Sequence, residues 1–147
     1  MKDLHWKEIY AVGVPSIDDE HKTLFDAVQA LKSAMVRNAG SEEMGVLLRE
    51  LAATTARHFA DEEALLREVQ YPGAGLHTVN HQRLMEKINA FVARHIQGAA
   101  TMNQHAWSFL RDWLVFHVEN DDARIGDWLK DRVREQQKKA QSLPKSA

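Results

Sequence analysis

Cysteine is absent from the sequence, and so are long apolar runs and any strong excess of charge. Without cysteine the chain forms no disulfide, no thiolate zinc site, no iron–sulfur cluster and no cysteine nucleophile. No apolar run approaches the roughly 20 residues that a membrane span needs, and residues 1–10 lack the apolar core of a signal peptide. The net charge of −2 does not indicate nucleic-acid binding. We therefore expect a soluble, cytoplasmic protein that binds neither nucleic acid nor membranes.

The length of 147 residues fits one compact domain, which is large enough to bury a core without a covalent crosslink. The final dozen residues, 136–147, are polar and end in Leu-Pro-Lys-Ser-Ala. We predict that they form a disordered tail, so that the folded domain spans residues 1–135. We also expect the protein to be a monomer.

Four segments space their apolar residues as helices do, and none alternates as a strand would. Turn-forming residues separate these segments at 38–41, 71–75 and 97–100. The predicted helices cover residues 18–37, 42–69, 76–95 and 103–134. Four amphipathic helices with short connections predict an all-α fold, an antiparallel up-down-up-down four-helix bundle.

The residues before the first two predicted helices suit the start of a helix. Ser16 or Asp18 is placed to cap the first helix, and Ser41 is placed to cap the second. Residues 1–17 precede the first helix as an arm. We expect the arm to pack on the bundle through Trp6, Tyr10 and Val14.

Two pairs of potential metal ligands lie four residues apart on the predicted helices. His58 and Glu62 form one pair, and His77 and His81 form the other. At about 100° per residue, this spacing points both members of a pair in the same direction, one turn apart. Each pair can therefore offer two ligands to one metal centre.

The remaining candidates lie at matching depths in the bundle. His21 is near the start of the first helix, and His117 is followed by Glu119, Asp121 and Asp122 in the last. At about 1.5 Å per residue, these positions and the two pairs agree in depth within the error of predicted helix boundaries. All four helices should therefore contribute to one layer near one end of the bundle.

A single histidine on a core-facing stripe is usually a hydrogen-bonded core residue. Five such histidines with carboxylates at one depth are different, because buried ionisable groups are costly unless they are paired or coordinated. We interpret this layer as a metal site. The other three histidines do not fit the layer, and we assign them to the surface: His5, His95 and His105.

Imidazoles with a few carboxylates suit iron, and also zinc, copper or nickel. Seven ligands are too many for one tetrahedral zinc ion, but they suit two six-coordinate ions that share bridging carboxylates. The chain lacks the Glu-x-x-His pairs of ferritin-like di-iron proteins. Since neutral imidazoles stabilise ferrous iron more than carboxylates do, the ligand set favours reversible dioxygen binding over hydroxylation.

Four stretches of the sequence resemble the hemerythrin family, and most closely its single-domain bacteriohemerythrins. They are V-G-V-P-S-I-D-D-E-H-K-T-L-F (12–25), H-F-A-D-E-E (58–63), Y-P-G-A-G-L-H-T-V-N-H (71–81) and D-W-L-V-F-H-V-E-N-D-D (112–122). Together with their spacing they cover nearly the whole chain except the tail. As a set the pattern is highly specific, although each piece alone would be weak.

The resemblance implies two iron ions joined by an oxo or hydroxo bridge, with dioxygen as their ligand. It assigns His21 and His58 to one iron. It assigns three ligands to the other iron: His77, His81 and His117. Glu62 and Asp122 would bridge the two ions. An apolar oxygen pocket would be lined by Leu114 and Val118, with Trp113 packed nearby.

The bridging carboxylate of the last helix is open to two interpretations. Regular helix geometry favours Asp121, four residues after His117, whereas the family spacing selects Asp122, five residues after it. The second choice requires the carboxylate to swing back or the helix to bulge locally. We follow the family and choose Asp122, with Asp121 as the alternative.

The sequence departs from the family pattern at three positions near the ligands. Glu20 replaces a common glutamine, Phe116 replaces a common asparagine, and Ile125 replaces a usual aromatic residue. None of these changes removes a ligand. They are expected to alter the hydrogen bonding around the ligands, and with it the autoxidation rate or the redox potential.

The leading functional hypothesis is reversible dioxygen binding for storage, delivery or buffering of oxygen. The first alternative is an oxygen or redox sensor that acts through an unknown protein partner. The second is a di-iron enzyme that handles peroxide or nitric oxide, which ranks lower because no general acid or base beyond the ligands is evident. A metal-free helical module is the last alternative.

Overall fold

The computed structural model describes residues 2–98 and 102–144, and within these ranges every long element is a helix. Three helices come first: α1 (Pro15–Val36), α2 (Ser41–Glu68) and α3 (Ala74–Ile96). Helices α4 (Gln104–Phe116) and α5 (Ala123–Ser142) are joined by a π-helical segment, His117–Asp122, into one continuous rod. This rod is the fourth helix of the bundle, so the predicted all-α four-helix fold is confirmed.

Helices α1 and α2 end in the same way, with one residue in the left-handed conformation. Asn38 has a φ of 54° and Gln70 a φ of 57°. The next residue in each case donates a hydrogen bond to the carbonyl five residues back, from Ala39 to Ala34 and from Tyr71 to Leu66. These Schellman-type ends reverse the chain within a few residues, which places α1, α2 and α3 antiparallel to one another.

The predicted capping residues do not cap the helices. Helix α1 begins at Pro15, whose fixed φ suits a first helical turn, and Ser41 is the first residue of α2 rather than the residue before it. The side chain of Asp18 instead accepts hydrogen bonds from the backbone N–H groups of Val12 and Gly13, at 2.8 and 3.2 Å. Asp18 therefore fastens the arm to the start of α1.

The arm packs along the bundle, as its aromatic residues predict. Leu4 and Val12 are buried, while the Trp6 ring lies 5.7 Å from that of Phe25. Near its end the arm crosses α5 at Gly126, where an added Cβ would lie only 2.5 Å from the carbonyl oxygen of Val12. A residue without a side chain is therefore required at this crossing.

The hydrophobic core fills the bundle beyond the histidine layer. It includes the fully buried indole of Trp107, which donates a hydrogen bond to the carbonyl of Val28 at 2.8 Å.

Among the described helices, none combines the length and the apolar composition that crossing a bilayer demands.

The last helix differs from its predicted boundary. Helix α5 continues to Ser142, so residues 136–142 are helical where the sequence suggested a disordered tail. All side chains from 131 to 144 are exposed. Contact with the core therefore does not determine the residue at which this helix ends. Within the predicted turn at 97–100, Ala99 and Ala100 lie outside the described residues, as do residues 145–147 of the predicted tail.

Candidate metal centre

The structure brings all seven predicted ligand residues together at one end of the bundle. Each of them is at most 5% exposed, which is unusual for so many ionisable side chains in one place. They come from every helix of the bundle: His21 from α1, His58 and Glu62 from α2, His77 and His81 from α3, and His117 and Asp122 from the π-helical segment.

These residues form two overlapping groups that could each hold a metal ion. Within each group, one potential ligand atom per residue lies within 4.8 Å of all the others. The first group contains His21, His58, Glu62 and Asp122. The second contains Glu62, His77, His81, His117 and Asp122. The two carboxylates are common to both groups, whereas each histidine belongs to only one.

The two oxygens of Glu62 are divided between the two groups of histidines. Oε1 hydrogen-bonds to Nε2 of His77 and lies 3.3 Å from Nε2 of His81. Oε2 lies 3.3 Å from Nε2 of His58 and 3.7 Å from Nε2 of His21. One carboxylate therefore faces both groups, with a different oxygen toward each.

The two oxygens of Asp122 are divided between the two groups of histidines in the same way. Its Oδ1 lies 3.2 Å from Nε2 of both His77 and His117, while Oδ2 lies 2.9 Å from Nε2 of His21. Two carboxylates that each present one oxygen to each side have the arrangement that a pair of bridged cations requires.

The π-helical segment explains why Asp122, and not Asp121, reaches the cluster. A π-helix closes its hydrogen bonds at five residues rather than four, so residues five apart face the same side. His117 and Asp122 both point into the bundle, and both are nearly inaccessible to solvent. Asp121 stays outside, where its Oδ2 lies 3.1 Å from Nδ1 of His117. Of the two ways in which Asp122 could reach the site, a local bulge of the helix is the one observed.

Electrostatics in the metal-free cluster couple the histidines to the two carboxylates. Burial lowers the pKa of His21, but the neighbouring carboxylates of Asp122 and Glu62 outweigh it and raise that pKa to about 9. The same opposing effects raise the pKa of His77 to about 9. For His117, burial is outweighed by Asp122 and Asp121, which raise its pKa to about 10.

The carboxylates respond in the opposite direction. Burial raises the pKa of Glu62, but its four neighbouring histidines dominate and hold it well below its usual range. Burial and the charge of Glu62 likewise raise the pKa of Asp122, yet His117 and His21 bring it down to about 2. Protons on the imidazoles thus balance two buried negative charges, and bound cations could replace those protons.

The orientation of the buried oxygens fits a metal better than a hydrogen-bond network. Oε2 of Glu62 and both carboxylate oxygens of Asp122 have no aligned hydrogen-bond partner among the described residues, although imidazole nitrogens lie nearby. The Nε2 atoms of His21 and His58 lie 3.1 Å apart. Buried polar atoms are normally hydrogen-bonded, so ligand atoms that converge on shared points instead of on donors fit cation coordination.

Three carboxylates lie behind the histidines, in contacts with Nδ1 atoms that the sequence pattern does not predict. Glu20 lies 3.2 Å from Nδ1 of His58, Glu63 lies 3.1 Å from Nδ1 of His81, and Asp121 contacts His117 as described. The sequence distinguishes Glu20 only as a departure from the family pattern that should alter hydrogen bonding around the ligands, and Asp121 only as the alternative to Asp122. The available signal was adjacency, because each of these residues is next to a member of the cluster in the sequence.

The predicted oxygen-pocket residues flank His117 in the sequence. Leu114 and Val118 are buried in the core, and the half-buried Trp113 stacks on His117 with its ring centroid 6.0 Å away. The ring of Phe59 stacks on His81 at a centroid distance of 3.7 Å and also lies 6.0 Å from the ring of Trp113. Aromatic rings thus pack directly against His81 and His117.

The three histidines assigned to the surface do not all lie there. His5 and His105 are exposed. His95 is half-buried, and its Nε2 donates a hydrogen bond to the carbonyl of Ser41 at 2.6 Å, which joins the end of α3 to the start of α2. The surface assignment was therefore wrong for His95, because this hydrogen bond depends on how two helices pack.

A four-helix bundle with one buried cluster of histidines and carboxylates is the architecture of a helical metal-binding protein. Residues 12–129 match the family model described as the hemerythrin HHE cation binding domain. The chain therefore belongs to the hemerythrin family, which confirms the resemblance seen in the sequence. Membership implies a non-haem iron centre with histidine, glutamate and aspartate ligands.

Individual relatives agree with this placement. A bacteriohemerythrin of Methylococcus capsulatus is 31% identical over 120 residues, which is 82% of this chain and 91% of that protein. A bacteriohemerythrin of Campylobacter jejuni is 27% identical over 128 residues, 87% and 96% of the two chains. A crystal structure of wild-type hemerythrin matches with a TM-score of 0.78 at 29% identity, covering 83% of this chain and 94% of that one.

Proposed function

We propose that this protein binds dioxygen reversibly at a di-iron centre, and thereby stores, delivers or buffers oxygen. The proposal rests on the geometry of the Glu62 and Asp122 carboxylates. In each of them, one oxygen faces one group of histidines and the other oxygen faces the other group. One metal ion would leave half of these oxygens without a partner. Two ions held side by side use all of them.

The ligands would be shared unequally between the two ions. His77, His81 and His117 would hold one iron, while His21 and His58 would hold the other. Because the second set contains one histidine fewer, its iron would keep a position for an external ligand. When bound, two ferrous ions supply the electrons and the open coordination position that reversible dioxygen binding requires.

The surroundings of the cluster favour binding over further chemistry. Leu114 and Val118 are each 1% exposed, and we propose that they line the oxygen pocket beside Trp113. An apolar lining excludes water and protons, which would otherwise promote autoxidation, the loss of electrons from the metal to oxygen. The carboxylates behind the histidines lie at the boundary of the cluster, where each is hydrogen-bonded to an imidazole.

The test is metal content together with an optical spectrum of the reduced protein before and after exposure to air. We expect two irons per chain and a visible charge-transfer band that appears with oxygen and disappears under vacuum. Absence of iron after anaerobic reconstitution would overturn the di-iron proposal. Two irons that pass directly to the ferric state, without a reversible band, would reject oxygen carriage in favour of a sensor or an enzyme.

A further inference from the structure

Three of the five clustered histidines are each held from outside by a carboxylate. The contacts join Glu20 to His58, Glu63 to His81 and Asp121 to His117, all at the Nδ1 atom and at 3.1 to 3.2 Å. In all three imidazoles the opposite nitrogen, Nε2, faces the interior of the cluster. The three carboxylates are 21–24% exposed, so they lie at the boundary between the cluster and solvent.

A common pattern relates these carboxylates to the cluster along the sequence. Each is adjacent to a residue whose side chain enters the cluster, which gives three consecutive pairs: Glu20-His21, Glu62-Glu63 and Asp121-Asp122. One member of each pair points inward, and its neighbour supports a histidine from outside. Two of these outer contacts also join different helices, α1 to α2 and α2 to α3.

We propose that Glu20, Glu63 and Asp121 are positioning residues that fix the three imidazoles for metal binding and strengthen them as electron donors. A carboxylate that accepts a hydrogen bond from Nδ1–H leaves Nε2 as the ligand atom and fixes the plane of the ring. The negative charge behind the ring makes Nε2 more basic, which stabilises the more highly charged, oxidised metal. This inference rests on the proposed di-iron function.

The contacts are distributed unequally over the two histidine groups. The group of His21 and His58 has one outer carboxylate, and Nδ1 of His21 is buried without a hydrogen-bond partner among the described residues. The group of three histidines has two, on His81 and His117. The metal with three histidines should therefore be stabilised more strongly in its oxidised form than the metal with two.

Charge-removing substitutions test the role of the three carboxylates. In the iron-loaded protein, Glu20→Gln, Glu63→Gln and Asp121→Asn should each accelerate iron loss to a chelator by about 10- to 100-fold. Each should also shift the reduction potential of the centre to a more positive value, and the double variant of Glu63 and Asp121 should shift it furthest. Glu119→Gln is the matched control, because Glu119 is exposed in the same π-helical segment and makes no described contact with a histidine.

The reduction potential distinguishes a tuning role from a merely structural one. A merely structural role would alter the stability of the protein in urea but leave the reduction potential unchanged. A second measurement needs no variant: in the zinc-loaded wild-type protein, NMR should show slowly exchanging Nδ1–H protons on His58, His81 and His117. Variants that keep wild-type iron release and potential, or rings without these protected protons, would overturn the inference. A wild-type chain that binds no iron would instead refute the proposed function.

Discussion

At the residue scale, one step along the chain separates two different roles. Asp122 points into the cluster and contacts three histidines, whereas its neighbour Asp121 stays outside and contacts one. The same chemical group thus acts as a proposed bridge at one position and as a support at the next. The five-residue turn of the π-helical segment produces this division.

The pair of aspartates allows a matched test. We expect Asp122→Asn to lose at least one of two irons, because an amide cannot supply the negative oxygen to both metals. Asp121→Asn should retain both irons when iron is in excess, and should differ from the wild type in how fast it releases them and in its reduction potential. Iron content after gel filtration measures the difference. Equal iron content in the two variants would contradict the assignment of the bridge.

Removal of one histidine provides a second test at this scale. His77→Ala should lose one iron, or lose the whole centre, because a proposed metal ligand is deleted and the carboxylates around it are left uncompensated. His105→Ala serves as the control, since His105 is exposed and far along the chain from any cluster residue. Normal two-iron stoichiometry in His77→Ala would count against its assignment.

The raised pKa values of the clustered histidines predict how metal binding depends on pH. With pKa values of about 9 for His21 and His77 and about 10 for His117, these rings carry protons at pH 7 in the metal-free protein. Iron must displace these protons, so loading should release more than one proton per chain and the affinity should rise from pH 6 to pH 9. Proton release in weakly buffered solution measures this, and loading without release would contradict it.

The same shifts predict how the metal-free fold depends on pH. A histidine whose pKa is higher in the folded state than its usual 6.5 stabilises the fold fully below 6.5, and this contribution is lost as pH rises through 9 to 10. The free energy of unfolding of the metal-free protein should therefore fall across that interval. Urea titrations at several pH values, with His117→Gln as the comparison, should show a weaker decrease in the variant.

At the scale of elements, the contact between the arm and α5 closes one side of the site. Val12, Val14 and Ile17 line a very small cavity, about 10 Å³, together with Glu62 and Asp122. The arm can approach this closely only because Gly126 has no side chain. The close packing of the arm on Gly126 thus helps to shield both proposed bridging carboxylates from solvent.

Gly126→Ala should displace the arm, because its Cβ would meet the carbonyl of Val12 at 2.5 Å. We expect a loss of about 1–3 kcal/mol in the free energy of unfolding and faster release of iron to a chelator. Gly75→Ala is the matched control, since this helical glycine has open space around it and an alanine there should stabilise α3 slightly. If both variants behave alike, the arm does not protect the site.

At the scale of the whole molecule, the bundle divides into a polar layer at one end, an apolar core and an exposed helical extension. The core holds side chains such as Leu24 and Leu110, each 1% exposed. The described part of the extension beyond residue 135 has no buried side chain. Stability and metal binding should therefore depend on the first two parts and not on the third.

Truncation after residue 135 tests this division. We expect a change within about 0.5 kcal/mol in the free energy of unfolding and an unchanged iron content. Leu24→Ala, in contrast, should cost about 2–5 kcal/mol, because it leaves a cavity in a closely packed region. Thermal and urea unfolding measure both. A truncated chain that unfolds as readily as Leu24→Ala would show that the extension belongs to the folded core.

Local periodicity was sufficient to predict four helices, their order and six of the seven residues that meet at one end, whereas the choice of Asp122 depended on the family resemblance. Ligands four residues apart, such as His58 and Glu62, share a helix face wherever that helix packs, so their spacing carries the information. Helix boundaries were close to the observed ones where a turn follows the apolar stripe. The last helix was predicted to end at residue 134 and instead ends at Ser142, because its exposed residues have no packing partner that sets a boundary.

Other features depend on distances between helices, which no local pattern contains. The support of His58 by Glu20 and of His81 by Glu63 requires the final spacing of α1, α2 and α3. The selection of Asp122 requires a π-turn that regular helix geometry does not predict. The division of two carboxylates between two histidine groups arises only when all four helices pack, because each oxygen is positioned by the helices opposite to it.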